Sequence, residues 1–144
     1  MLNRDFDALT VNGLCDLSEK NILAGSPLTY GANGYKLAKA GDKVAGLSFN
    51  YYFVGKDDVN GGEWFADSKK VGVVKVAQVT LGGDEIEGTV VYPFVETDTY
   101  AAGDALTVNA DGKLAKAGSD DEAIATVVAY DAQRALLTAY INVK

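Results

Sequence analysis

Histidine is missing from this chain, cysteine occurs once and proline twice. Without histidine there can be no Ser-His-Asp or Cys-His catalytic arrangement. With one cysteine as well, zinc sites of the usual kind are excluded. Cys15 has no second thiol in the chain, so no intramolecular disulfide forms, and it reads as a small, partly buried thiol in a reducing compartment. Basic charge is also in deficit, with 13 Lys and Arg against 20 Asp and Glu and a net charge of −7. A surface of that sign repels phosphate backbones, and no basic stripe offsets it, so nucleic acid is not an expected partner. No run reaches the ~20 apolar residues of a membrane span. The opening MLNRDFDALTVNG lacks an apolar core of signal-peptide length. The expectation is a soluble protein made in a cytoplasm, with no membrane partner.

What the chain does have is a repeat. Residues 24–41 read AGSPLTYGANGYKLAKAG and residues 102–118 read AGDALTVNADGKLAKAG; one inserted residue, Tyr35, brings about a dozen positions into identity. Each copy has Leu-Thr beside a β-branched or aromatic residue, then Asn33-Gly34 or Asp111-Gly112, then Lys-Leu-Ala-Lys. Asn-Gly and Asp-Gly between short alternating runs signal a tight hairpin, because its favoured turns need φ > 0 at both centres. The sequence therefore predicts Leu28–Tyr30 paired with Lys36–Ala38, and Leu106–Val108 with Lys113–Ala115. In the second hairpin Leu106, Val108 and Leu114 share the apolar face, while Lys113 and Lys116 face water. Tyr35 is expected to lengthen the first turn into a three-residue loop or a bulge.

A longer apolar strand follows each hairpin, Val44–Val54 and Ala123–Tyr130, and a second follows that, Val71–Leu81 and Ala135–Val143. The expected fold is all-β: a small barrel or sandwich of two related hairpin-plus-strand halves, residues 24–81 and 82–144. Residues 1–23 form an N-terminal arm and lead-in. One barrel or two lobes both fit, and 144 residues at 48% hydrophobic content suffice for one core. In the lead-in, Leu9–Val11 is a short strand ended by Asn12-Gly13. Asp16–Lys20 is one helical turn with Asp16 as cap. Met1–Ala8 either frays or reaches a neighbouring subunit. The polar connection between Val54 and Val71 contains Trp64 and Phe65, which either pack back on the barrel or form a contact surface. Leu81–Glu85 reads as a turn into a strand Ile86–Phe94, with Pro93 marking an end or an edge. Asp120–Ala123 and Asp131–Arg134 read as short turns.

Signals of chemistry are weak. Gly112-Lys113 is followed by Leu114, so the Ser/Thr of a phosphate loop is missing, and the repeated glycines read as turn residues. Asp57, Asp58 and Glu63, or Asp84, Glu85 and Glu87, could in principle supply a glycosidase pair, yet all sit in turn contexts where solvated charge is the default. Asp57, Asp58, Asn60 and Glu63 could offer Ca²⁺ several oxygen ligands on a flexible loop, but they do not match the spacing of a helix-loop-helix calcium loop, and a solvated turn is the default. No catalytic residue, cofactor or metal ligand is assigned, and the chain is not read as an enzyme.

The pattern A-G-D-A-L-T-V-N-A-D-G-K-L-A-K-A-G followed by A-I-A-T-V-V-A resembles the capsid decoration, or cement, proteins of tailed bacteriophages. The resemblance covers residues 98–143 best and 22–54 less well. Ala125 stands where the pattern often has Gly, and the acidic run Asp120–Glu122 is longer than the pattern. The resemblance implies a structural virion protein without cofactor. Such a protein binds the major capsid protein on the outer surface at subunit junctions, often as a homo-oligomer, in some cases a trimer. It also favours Met1–Ala8 as a docking arm, so the expected partner contacts are Leu2, Asn3, Arg4, Asp5 and Phe6 with Trp64 and Phe65. The alternatives are another virion component, such as a head-fibre base, neck or tail protein, or a carbohydrate-binding β-module stacking sugars on Trp64 and on Tyr51 or Tyr52.

Overall fold

The computed structural model describes residues 2–4, 9–16, 21–49, 52–53, 70–86 and 88–143. It is all-β; among the described residues there is no helix. In chain order the strands are β1 (Leu2–Arg4), β2 (Leu9–Leu14), β3 (Asn21–Ile22), β4 (Pro27–Gly31), β5 (Gly34–Leu37), β6 (Gly46–Ser48), β7 (Tyr52–Phe53), β8 (Lys70–Leu81), β9 (Asp84–Ile86), β10 (Thr89–Val91), β11 (Ala105–Val108), β12 (Leu114–Lys116), β13 (Ala125–Asp131) and β14 (Leu136–Asn142). Ten of them form one curled antiparallel sheet, and β9–β10 and β3–β7 are separate two-stranded ribbons.

The sheet is built on β8. Its sequence, KVGVVKVAQVTL, is rich in the β-branched residues that suit a pleated surface. Val71, Gly72, Val73 and Val74 are all buried, as in a strand covered on both faces, whereas Ala77, Val79 and Leu81 alternate with exposed or half-exposed Gln78 and Thr80. The registers fix what flanks it. Val74 pairs with both Thr10 and Leu47, and Val76 with both Leu9 and Asn142. A strand residue has one neighbour on each side, so β2 takes one edge, and β6 and β14 follow one another along the other. β1 continues the edge of β2, opposite β14, with Leu2 facing Leu81.

From the first half of β8 the sheet runs through β6, β4 and β5 and returns to β2, closed by a parallel bridge between Tyr35 and Cys15 and by the Asp16 N–H donating to the Tyr35 carbonyl at 2.9 Å. Cys15, Ile22, Leu28, Val71 and Val73 fill this ring, with Val11, Tyr35 and Leu37 packed against them. From the second half, β14, β13, β11 and β12 curl round a larger core that includes Val79, Leu81, Phe94, Leu106, Leu114, Val127, Leu137 and Ile141. Residues 93–95 run beside β12, where Leu114 donates to the Pro93 carbonyl and accepts from Val95.

The two copies of the repeat form hairpins in different registers. In the first, Leu28 faces Leu37 and Tyr30 faces Tyr35, leaving Ala32 and Asn33 in the turn. In the second, Leu106 faces Lys116 and Val108 faces Leu114, with residues 109–113 connecting. Both expected pairings are therefore displaced. Asn33-Gly34 is not the turn centre, since Gly34 already lies in β5 at φ 118°, and no primed turn forms because Ala135 is the one non-glycine residue with positive φ among those described. Tyr35 shortens the first connection instead of lengthening it. Its ring lies over Gly13, where a Cβ would stand 2.3 Å from ring carbon Cε2, and its backbone joins the bridge to Cys15, so β5 is drawn out along β2. In the second copy Asn109 stands where the first has Gly31. Its Oδ1 accepts the N–H groups of Asp111 and Lys113, both at 2.9 Å, which holds the wider loop, and Gly112 supplies the left-handed residue at φ 79°. The two registers differ by an even step, so the apolar face is kept: Leu28, Leu106, Val108 and Leu114 are all buried.

Other expectations also change. Val44–Val54 is not one strand; β6 and β7 belong to different sheets. β2 does not stop at Asn12-Gly13, because Gly13 pairs with Val71 and Leu14 with Lys70. Asp84 and Glu85 are not a turn but part of β9, whose hairpin partner β10 ends at Val91, before Pro93. The strands expected at Val71–Leu81, Ala123–Tyr130 and Ala135–Val143 are present as β8, β13 and β14. The helical turn at Asp16–Lys20 falls mostly outside the described residues.

Candidate functional site

The two copies of the repeat meet. The Ala40 N–H donates to the Asn109 carbonyl at 3.0 Å, so the turn of the second hairpin sits on the tail of the first. Beside this contact lies a cleft of about 380 Å³, lined by Asp42, Lys43, Asp120, Asp121, Glu122 and Asn142 and by the buried Val44, Val108 and Ile124. Two of the carboxylates are engaged locally: Asp42 Oδ2 accepts the Lys39 N–H at 2.9 Å and Asp121 Oδ2 accepts the Gly118 N–H at 2.7 Å. Among the described residues no cluster of Asp, Glu, Cys or His is arranged to hold a metal ion. The cleft can offer oxygen acceptors to a cationic or hydroxyl-bearing group.

The carboxylate-to-backbone bond belongs to a recurring turn. Leu23–Ser26, Lys39–Asp42 and Ala101–Asp104 each end with an N–H donating to the carbonyl three residues back, and each has Gly at the third position with φ of 86°, 90° and 94°. A type II turn requires this. Asp42 and Asp104 reinforce it by accepting the N–H of Lys39 and Ala101. Three of the four Ala-Gly pairs that open and close the repeats, Ala24-Gly25, Ala40-Gly41 and Ala102-Gly103, are therefore structural.

A second cluster has no counterpart in the repeat. Phe94 is fully buried and packs edge-on against Tyr92, Tyr100 and Tyr130 at centroid distances of 5.6, 6.1 and 6.2 Å. The Tyr100 hydroxyl donates to the Val95 carbonyl at 2.7 Å, tying the 95–100 crossover into a closed loop. Burial pushes the Tyr100 hydroxyl well above the usual tyrosine range, and Asp98, Tyr130 and Glu96 add to this. Tyr130 shifts the same way, through burial and then Glu96. With hydroxyls held neutral and facing backbone carbonyls, this cluster acts as packing. Its members are spread over nearly forty residues of sequence, so no local spacing marks it.

Of the expected partner contacts, Leu2, Asn3 and Arg4 form β1, paired with Leu81, Thr80 and Val79 of the same chain. Asp5, Phe6, Trp64 and Phe65 lie outside the described residues, as does the 57–63 loop. Asn33, Gly34, Asp111 and Gly112 occupy hairpin connections or their borders, 33–34 on the side of β2 and 111–112 beside Ala38–Ala40. The structure does not bring these two turns together. Comparison with protein-family models, with curated proteins and with solved structures finds no match for this chain.

Proposed function

We propose that this protein is a structural component of a tailed-phage virion that binds the outer capsid surface and stabilises it at subunit junctions. The observation that carries the reading is the Leu-Thr, Asp-Gly-Lys hairpin followed by AIATVVA, which folds as β11–β12 beside β13 and β14. Its support is an all-β framework in which the repeated leucines are largely core and repeated glycines form turns, and in which two of the four carboxylates in the inter-repeat cleft, Asp42 and Asp121, cap turns. In this reading residues 24–81 and 82–144 are two related halves. The order hairpin, strand, strand occurs as β4–β5, β6, β8 and again as β11–β12, β13, β14. The partner is the major capsid protein, with the N-terminal segment and the 64–65 aromatics as contacts.

Gradient sedimentation of lysate from cells producing the protein tests this. Sedimentation with large particles, at a copy number close to that of the shell protein, is the expected result. A dozen copies or fewer per particle would assign it to a neck or tail part. Recovery only as a small free species would overturn the virion reading and turn the search to glycans.

A further inference from the structure

One charge stands in the middle of the central strand. Lys75 is the only charged residue of β8 after its first position, and it is half-buried among core and neutral residues. The registers pass it by on both sides. On one edge β2 goes from Leu9 opposite Val76 to Thr10 opposite Val74, and on the other β6 reaches Val74 while β14 begins at Val76. Lys75 is thus the extra residue of a bulge, and bulges re-aim the side chain they carry. Its ammonium donates to the Ala45 carbonyl at 3.2 Å, which leaves two of its three N–H groups for other acceptors.

Lys75 lines a pocket of about 260 Å³ together with Thr29, Tyr30, Lys43, Val44 and Ala45. Its wall is fixed by hydrogen bonds: the buried Thr29 hydroxyl donates to the Lys43 carbonyl at 2.8 Å, and the Ala45 N–H to the Leu28 carbonyl at 2.7 Å. Two lysines line this pocket and no carboxylate does. Among the described residues the ion pairs are Lys116–Asp98 and Arg134–Asp131, so in a chain with 20 Asp and Glu none of those described is set against Lys75 or Lys43. We infer that the pocket is a site for a small oxyanion, the carboxylate or phosphate group of a ligand, held by Lys75. Such a group supplies the missing counter-charge through charge-assisted hydrogen bonds to the free ammonium protons. Lys43, exposed and shared with the rim of the inter-repeat cleft, is the second and looser cation.

Heteronuclear NMR of the isotopically labelled full chain, titrated with sodium phosphate and separately with sodium acetate at constant ionic strength, tests this independently of any capsid. The expected result is saturable shifts at the Thr29, Ala45 and Lys75 amides with at least one of the two anions, at a dissociation constant on the order of 1 mM. Saturation by phosphate alone marks a phosphoryl ligand, and by acetate alone a carboxylate. Lys75→Gln, which keeps an N–H donor for the Ala45 carbonyl, should weaken binding about tenfold, the loss of one hydrogen bond to a charged group. Lys43→Gln, at an exposed position where folding is not at stake, should weaken it less, and Lys70→Gln, at the start of β8, should leave it unchanged. Shifts that saturate with neither anion, or Lys75→Gln and Lys43→Gln chains that bind as tightly as the parent, would overturn the inference.

Discussion

Replacing glycine by alanine in the three Ala-Gly turns separates what local sequence dictates from what packing dictates. Gly25, Gly41 and Gly103 share one turn geometry, with φ of 86°, 90° and 94°. A Cβ in that left-handed region costs about 1–2 kcal/mol. Alanine recovers about 0.4–1 kcal/mol through the smaller entropy of the unfolded chain. At Gly41 and Gly103 a Cβ meets nothing within 4 Å, so the balance stands alone. Those variants should lose about 0.5–1 kcal/mol. At Gly25 the same Cβ would stand 2.4 Å from Leu81 Cδ2, and Leu81 is fully buried at the end of β8, so its side chain must shift within the core. Overpacking of this kind adds about 1–3 kcal/mol, so Gly25→Ala should lose about 2–4 kcal/mol. Urea unfolding followed by far-ultraviolet circular dichroism reads all three. At this chain length each kcal/mol moves the melting temperature by about 2–4 °C. Equal losses in the three variants would refute the reasoning, since the sequence around the three turns is nearly the same and only the packing differs.

Tyr100→Phe removes the bond to the Val95 carbonyl and should cost about 1 kcal/mol at neutral pH. Because folding raises the Tyr100 pKa, its contribution is complete below the ordinary value near 10.0 and is lost as pH rises above it, where the unfolded chain ionises first. Urea midpoints measured across that range should fall more steeply for the parent than for Tyr100→Phe, and parallel curves would refute the assignment. Asn109→Gly, which gives the second hairpin the glycine the first has at Gly31, should cost about 1 kcal/mol by removing a side-chain acceptor. It should speed amide exchange at Asp111 and Lys113, and unchanged exchange would mean the side chain does not hold the loop.

The all-β class, the positions of β8, β13 and β14 and the existence of both hairpins were legible because each rests on a local pattern: alternation, β-branched runs, and glycine beside Asn or Asp. Hairpin register was not legible, although the two copies are nearly identical. It depends on Tyr35 lying over Gly13 and on Asn109 replacing Gly31, the first of which is a contact between distant residues. The aromatic cluster was illegible for the same reason, since Phe94 and Tyr130 become neighbours only when the 92–100 crossover is laid against the sheet. Of the expected partner contacts, the arm offered no periodicity to read, yet Leu2–Arg4 finds a place as β1 against β8.

Taken by itself, the sequence determined the fold class and removed histidine-based chemistry and an intramolecular disulfide, because those follow from residue types and short-range geometry. The tertiary structure decided which edge of β8 each neighbour occupies, how one repeat leans on the other, and which groups surround Lys75. Those depend on pairings between residues tens of positions apart, whose energies no stretch of chain contains alone.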